Sequence, residues 1–269
     1  MTVRPTIAAL AFMLLGLAAC GTGEEKVIPD QPAEALFNRA MSSLESGDGN
    51  EAIKYFDEVD RQHPYSVWAN KSQLMSAFAL YAGNKYEPAI SALDRFIQLH
   101  PGSRDAPYAY YLKALCYYER ITDVTRDQEI TQQALNGLQD VVRRFPDSQY
   151  ARDSQIKIDL TRDHLAGKEM EIGRFYMKRN QYLAAINRFR RVVEQYQTTD
   201  QVPEALERLT EAYLAIGLTE EAQAAAAVLG YNFPGSPWYE DAYKLLADTG
   251  LEPQESKTSW LGQVWNSVF

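Results

Sequence analysis

The chain has 269 residues, with 36 acidic and 27 basic side chains and a net charge of −9. It contains no basic block that could follow a phosphate backbone, which argues against a nucleic-acid partner. Its length is sufficient for a large core or for an array of repeats.

The first residues have the pattern of an export signal. Arg4 is the only charged side chain before Glu24, and an apolar run extends from Ile7 to Ala19. This run is shorter than the roughly 20 residues that a membrane-spanning helix needs. The pattern therefore predicts a cleaved secretory signal peptide over residues 1–19.

The small residues of this segment end in a cysteine. Leu17-Ala18-Ala19-Cys20 resembles the bacterial lipobox, whose cysteine receives a diacylglycerol on sulfur and an acyl chain on nitrogen. The resemblance implies a lipid anchor on Cys20, a lipidated linker over 20–31 and no other cofactor. Because no aspartate stands at the second mature position, it also implies sorting to the periplasmic face of the outer membrane. The alternative is an ordinary signal peptide with a chance cysteine. Cys116 lies among apolar and aromatic neighbours, which predicts a small buried side chain.

A proline-containing pattern then recurs along the chain. It reads RQHPYS at 61–66, QLHPGS at 98–103, RRFPDS at 143–148 and YNFPGS at 231–236, with a degenerate EQYQTT at 194–199. Proline suits the residue after a helix end, and the serine of each P-x-S unit suits the cap of the next helix.

A second spacing accompanies the first. Twelve and eight positions before each proline, or before Gln197 in the degenerate copy, stand an alanine and an apolar residue: Ala52 and Phe56, Ala89 and Leu93, Ala134 and Leu138, Ala185 and Phe189, Ala222 and Ala226. This is the A-x3-F…P spacing of the tetratricopeptide repeat, a helix–turn–helix unit. The predicted fold is all-α, an α-solenoid of five such repeats. Gly47, Gly83 and Gly217 are predicted to supply left-handed turns between paired helices.

Irregular spacing between the repeats predicts two further features. Repeat three carries about eight extra residues, at 121–128, and one long helix over about 149–179 bridges repeats three and four. The predicted organisation is an N-terminal half at 32–148, a C-terminal half at 149–250 that ends in a capping helix over about 236–248, and a tail at 251–269.

The tail ends in SWLGQVWNSVF. Trp260, Leu261, Val264 and Trp265 recur at helical spacing behind a possible cap at Ser259, which predicts a short amphipathic helix. Such a helix folds back on the array, docks on a partner or touches lipid. The first two alternatives are favoured, because the segment carries almost no charge.

The lipobox, the five repeats and the segment DHLAGKEMEIGRFYMKR followed by AAINRF together resemble the BamD family, lipoproteins of the bacterial outer-membrane β-barrel assembly machinery. The resemblance implies a non-enzymatic subunit that holds the barrel-forming subunit, BamA, through its POTRA domains. It also implies contact with other accessory lipoproteins and binding of unfolded outer-membrane proteins.

Two sets of residues are candidates for these contacts. The first helices of repeats one to three carry apolar and aromatic side chains suited to extended peptides, although ordinary interhelix core is the alternative reading: Phe37, Leu74, Phe78, Tyr81, Tyr108, Tyr111 and Tyr118. Repeat four carries a basic run that the resemblance assigns to POTRA docking, with a solvated helix face as the alternative: Lys178, Arg179, Arg188, Arg190 and Arg191.

Motifs typical of catalysis are missing from the sequence. The three histidines are scattered, and there is no G-x-S-x-G, phosphate-binding glycine loop or C-x-x-C. We therefore expect no enzyme activity and no metal. The alternative functions are a pilotin-like scaffold of a secretin or of a cell-wall synthesis complex, and a repeat subunit of an envelope enzyme.

Overall fold

The structure is a computed structural model that describes residues 28–256 and 259–262. The described residues form eleven α-helices and no strand, and residues 260–262 of the tail are helical as well. The helices are α1 (Ala33–Glu45), α2 (Gly49–Gln62), α3 (Val67–Ala82), α4 (Tyr86–Leu99), α5 (Ala106–Tyr118), α6 (Glu129–Arg144), α7 (Gln149–Met177), α8 (Tyr182–Gln195), α9 (Val202–Ala215), α10 (Thr219–Asn232) and α11 (Pro237–Asp248).

Each helix packs on the next, and the first ten helices form five antiparallel pairs. The alanine and apolar residue of each repeat lie on the second helix of the pair, and all ten side chains are 0% exposed. A small residue lets two helix backbones approach, and the residue four positions later covers the same face. The predicted all-α solenoid of five tetratricopeptide repeats is therefore confirmed.

The serines of three of the four P-x-S units begin helices as predicted, whereas Ser103 accepts from Asp105 N at 3.1 Å and Asp105 occupies the N-cap of α5. The Oγ atoms of Ser66 and Ser148 accept hydrogen bonds from Ala69 N and Ala151 N, both at 3.1 Å. Ser236 accepts from Trp238 N at 3.3 Å, with Pro237 in the first turn of α11. Each cap satisfies a backbone N–H that has no partner inside its helix.

One turn prediction was wrong. Gly47 and Gly217 have φ of 87° and 79°, but Gly83 has φ of −85°. In that repeat the left-handed residue is Asn84, with φ of 57°. Asparagine tolerates this conformation better than most residues, so the turn closes one residue later than the glycine suggests.

The long helix α7 spans 29 residues and joins two parts of the core. Its N-terminal part, up to Leu165, supplies Ile158 and Leu165 to a cluster with helices α5 and α6. Its second half supplies Ala166 and Met170 to the cluster that contains α8, α9 and α10. The predicted bridging helix is thus present, and it forms the first helix of repeat four. Helix α11 caps the array by packing on α9 and α10.

The inserted residues of repeat three form the connection between α5 and α6. Lys168 of α7 donates from Nζ to the carbonyl oxygen of Thr125 at 2.8 Å, which ties this loop to the long helix. No helix in the described ranges has the length and hydrophobicity to cross a membrane.

Candidate binding surfaces

The first helices of repeats one to four lie side by side, because α1 contacts α3, α3 contacts α5, and α5 contacts α7. We call the side of the array that these helices form the first-helix surface. Five of the seven predicted substrate-binding residues make contacts between neighbouring helices of this surface, as the next paragraphs describe.

A band of tyrosines crosses the middle of the surface. Tyr150 of α7 packs on two residues of α5, with its ring centroid 5.4 Å from that of Tyr108 and 5.3 Å from that of Tyr111. On the other side of α5, the hydroxyl of Tyr81 donates to Glu119 Oε1 at 3.4 Å. We call Tyr81, Tyr108, Tyr111, Tyr118 and Tyr150 the tyrosine band.

The polar ends of the band are ordered by charged residues of α7. The Tyr111 hydroxyl donates to Asp153 Oδ2, and Lys157 Nζ lies 3.0 Å from the same carboxylate oxygen. Lys157 also stands 5.5 Å from the ring centroid of Tyr118. The bond from Tyr111 lowers the pKa of Asp153, so this carboxylate stays ionised near neutral pH.

Three hydroxyls of the band, those of Tyr81, Tyr108 and Tyr111, have pKa values raised above the ordinary value and remain neutral. Burial, with the nearby Glu119 carboxylate, raises the pKa of Tyr81 to about 12. Burial and the neighbouring Tyr150 raise the pKa of Tyr108 to about 12, and burial with the Asp153 bond raises that of Tyr111 further. Partly buried phenols with neutral hydroxyls can pack against apolar groups and still hydrogen-bond at one end.

A cleft of about 300 Å³ opens beside the band where the repeat-three loop meets α7. Its walls are Tyr118, Glu119, Ile121, Leu160, Thr161 and His164. Leu160 is 57% exposed, and Ile156, one turn earlier, is 64% exposed. The cleft therefore places exposed apolar surface next to polar groups of the band.

The structure contradicts the prediction for one of the seven residues, Leu74, and places another, Phe37, away from the tyrosine band. Leu74 is only 6% exposed and belongs to the core between α3, α4 and α5, so it does not line the surface. Phe37 packs on Phe56 of α2 and on Trp68 of α3, at 5.6 and 4.9 Å between ring centroids, away from the band. Phe78 lies beside Tyr81 at 6.4 Å.

Three contributors to the surface were missed from the sequence: Tyr150, Asp153 and Lys157. They recur at three- and four-residue spacing on α7, which is the signal of a common helix face. That spacing could have identified them, had the start of the long helix been compared with the aromatic residues of α5.

The five predicted partner-binding cations lie at the end of α7 and on α8. Most of them already contact acidic or aromatic side chains of the same chain. Glu169 of α7 holds both Arg188, at 3.1 Å, and Arg191, at 2.8 Å. The guanidinium of Arg179 stacks 4.4 Å from the ring centroid of Phe175, which is 50% exposed. Lys178 is exposed and has no ion pair among the described residues. We call Arg188, Arg190 and Arg191 the α8 basic face, in which Arg190 lies about 100° around the helix from Arg191.

Comparison with known proteins places the chain in a family. The family described as YfiO, outer membrane lipoprotein, matches residues 29–229, the whole repeat array up to α10. An outer membrane protein assembly factor BamD from Caulobacter vibrioides is 53% identical over 254 residues, which cover 93% of this chain and 83% of that protein. The chain belongs to the BamD family.

Two further BamD relatives match over similar lengths. The Rickettsia prowazekii protein is 44% identical, over 88% of this chain and 95% of its own length. The protein of Neisseria meningitidis serogroup A is 32% identical, over 86% and 92%. The similarity thus extends over both halves of the array.

In this BamD-family chain the tail, which follows the residues matched by the family model, contacts helix α8. Trp260 Nε1 donates to Glu194 Oε1 at 2.8 Å, and the Arg190 guanidinium lies 3.9 Å from the centroid of the Trp260 ring. Leu261 is 1% exposed and joins the core cluster that contains α8, α9 and α10. Val264 and Trp265, the other predicted docking residues, lie outside the described residues, as does Cys20.

Proposed function

We propose that the chain is a non-enzymatic assembly factor for outer membrane proteins, held by lipid on Cys20 at the periplasmic face of the outer membrane. The observation that carries this proposal is membership of the BamD family across the whole array. The relatives described above are all named as assembly factors, which favours this function over a secretin or cell-wall scaffold.

Within this function, the tyrosine band and the adjoining cleft are the proposed contact for unfolded outer-membrane protein segments. Neutral phenols, the exposed Leu160 and the polar groups of Asp153 and Lys157 together suit a segment of alternating apolar and polar side chains. The α8 basic face, with Lys178 and Arg179, is the proposed docking surface for the POTRA domains of the barrel-forming subunit. Arginine pairs well with carboxylates at such interfaces.

Site-specific photocrosslinking in cells tests the two surfaces. A photoreactive residue at Tyr81 or Tyr118 should capture nascent outer-membrane proteins, and one at Arg188 should capture the barrel-forming subunit. Exposed positions on second helices, Lys54 and Gln139, are matched controls and should capture neither. Capture of substrate from the control positions as readily as from the band would contradict the assignment.

The anchor has a separate test. Cys20→Ser removes the only proposed lipid attachment, and two or more acyl chains are needed for stable membrane binding. The variant, carrying a signal peptide with an ordinary cleavage site, should move from the membrane fraction to the soluble periplasm with unchanged helix content. A Cys20→Ser protein that stays with the membrane in cells lacking the barrel-forming subunit's docking domains would rule out the lipid.

A further inference from the structure

The tail carries a compact turn that presents two residues to the array. Ser259 is buried, its N–H donates to Ser256 Oγ at 3.2 Å, and its hydroxyl donates to the Ser256 carbonyl at 2.9 Å. Gly262 N then donates to Ser259 Oγ at 3.0 Å. A Cβ on Gly262 would lie 2.2 Å from the Ser256 carbonyl oxygen, so this turn accepts only glycine. We call residues 259–262 the latch.

The latch closes on α8 through Trp260 and Leu261. Arg190 and Glu194 are one turn apart on α8, and the indole rests on the first while its N–H bonds the second. Upstream, Gln223 of α10 donates from Nε2 to the Glu252 carbonyl at 2.7 Å and leads the tail back towards the array. The contact is thus assembled from several specific interactions.

The latch covers part of the α8 basic face. Arg190 is the one member of that face whose guanidinium lies against the indole, and its side chain is one-third exposed. Arg188 and Arg191 instead pair with Glu169. A protein surface that engages Arg190 together with the other two arginines therefore meets the indole first.

The contact between the latch and α8 can break while the repeats stay folded. It rests on one stacked cation, one hydrogen bond and one buried leucine, set against the conformational entropy of the tail. The repeats themselves are closed by pairs of fully buried residues on each second helix. Opening of the latch and unfolding of the array are consequently separate events.

We propose that the latch is an intramolecular competitor for the α8 basic face, so that an acidic partner surface gains Arg190 only when Trp260 leaves. The proposal rests on the docking role given above to this face. Only the fraction of molecules whose latch is open is competent to bind in this way, and the apparent affinity for the partner is reduced by that fraction. By thermodynamic linkage, partner binding raises the equilibrium constant for latch opening by the same factor by which opening raises the affinity for the partner.

Gly262→Ala is the sharpest test because it opens the turn while leaving Trp260, Leu261 and all of α8 unchanged. The probe is the purified periplasmic POTRA region of the barrel-forming subunit, titrated against the full-length protein in detergent. We expect Gly262→Ala to bind about threefold or more tightly than the unmodified chain. Gly235→Ala, where a Cβ meets no atom within 4 Å, is the matched control and should bind unchanged.

A second variant separates the contacts of the latch. Trp260→Phe keeps an aromatic face for Arg190 but loses the N–H donor to Glu194, so its affinity should fall between those of the unmodified chain and Gly262→Ala. Hydrogen exchange of the peptide that contains residues 259–262 should become faster when the POTRA region is bound. Unchanged or weaker binding by Gly262→Ala, or slower exchange in the complex, would overturn the proposal.

Two further substitutions distinguish failure of the latch from failure of the docking surface. Arg188→Ala and Arg191→Ala lie outside the latch and should each weaken binding. If both weaken binding and Gly262→Ala leaves it unchanged, only the latch is wrong. If neither weakens binding, the docking surface and the latch as its competitor both fail.

Discussion

At the scale of single residues, the close crossing of α7 and α8 depends on Gly173. A Cβ at this buried position would lie 2.3 Å from Cε1 of Phe189, which is itself fully buried. Gly173→Ala should therefore lower the free energy of unfolding by about 2 kcal/mol through overpacking. Denaturant titration checks this, with Gly102→Ala, which meets no atom within 4 Å, as a control that should be nearly neutral.

A second residue links stability to pH. Glu207 of α9 is 4% exposed, and burial raises the pKa of its carboxyl to about 7, although Arg208 lies 3.3 Å away and acts in the opposite direction. The folded state therefore favours the protonated form. The stability that this group contributes is complete below about pH 4.5 and is lost as the pH rises to about 7.

Glu207→Gln removes that loss. We expect the variant to be more stable than the unmodified chain by about 1–2 kcal/mol at pH 8 and nearly equal to it at pH 4.5. Urea titrations at the two pH values measure the difference. Glu220→Gln changes an exposed carboxylate on α10 and should show no such dependence; an equal effect of Glu207→Gln at both pH values would contradict the burial argument.

At the scale of elements, the start of α7 is fixed by its cap. Ser148→Ala leaves the N–H of Ala151 without its side-chain acceptor, so the free energy of unfolding should fall by about 1 kcal/mol. Ser91→Ala, on the exposed side of α4, is the matched control. Thermal or urea unfolding should leave that control unchanged or slightly stabilised, since alanine is the better helix former.

The elements were largely predictable from the sequence because each repeat carries its own local signals. Proline after a helix, serine before the next and alanine at the crossing all act within a dozen residues. The exposed side of each helix was less predictable. A helix that packs on two neighbours buries residues on more than one of its sides, and Leu74 of α3 is buried for this reason. The pairing of Glu169 with Arg188 and Arg191 spans 19 and 22 residues and depends on how two helices cross.

At the scale of the whole molecule, α7 should make the two halves unfold together. Its side chains belong to the core clusters on both sides of the bridge. Repeat arrays can lose cooperativity when neighbouring units share little interface, but here the shared element is a continuous helix. We expect Leu138→Ala, in the N-terminal half, to destabilise both halves.

Two tryptophans report on this coupling. Trp68 of α3 and Trp238 of α11 lie in opposite halves, and each can be followed in a chain whose other tryptophans are replaced by phenylalanine. Leu138→Ala should shift both fluorescence transitions to lower denaturant by similar amounts. A shift seen only by Trp68 would show that the halves unfold independently.

The first described residues are fixed to repeat one, and this limits the distance between that repeat and the proposed lipid on Cys20. Gln31 is clamped to repeat one, since its N–H donates to Gln62 Oε1 at 3.0 Å and its carbonyl oxygen lies 2.6 Å from His63 Nε2, while Ile28 packs on the core of that repeat. Eight residue steps separate Cys20 from Ile28. A chain of that length extends no further than about 30 Å. With lipid on Cys20, repeat one would therefore stay within that radius of the bilayer surface, whereas the other end of the array could move further from it.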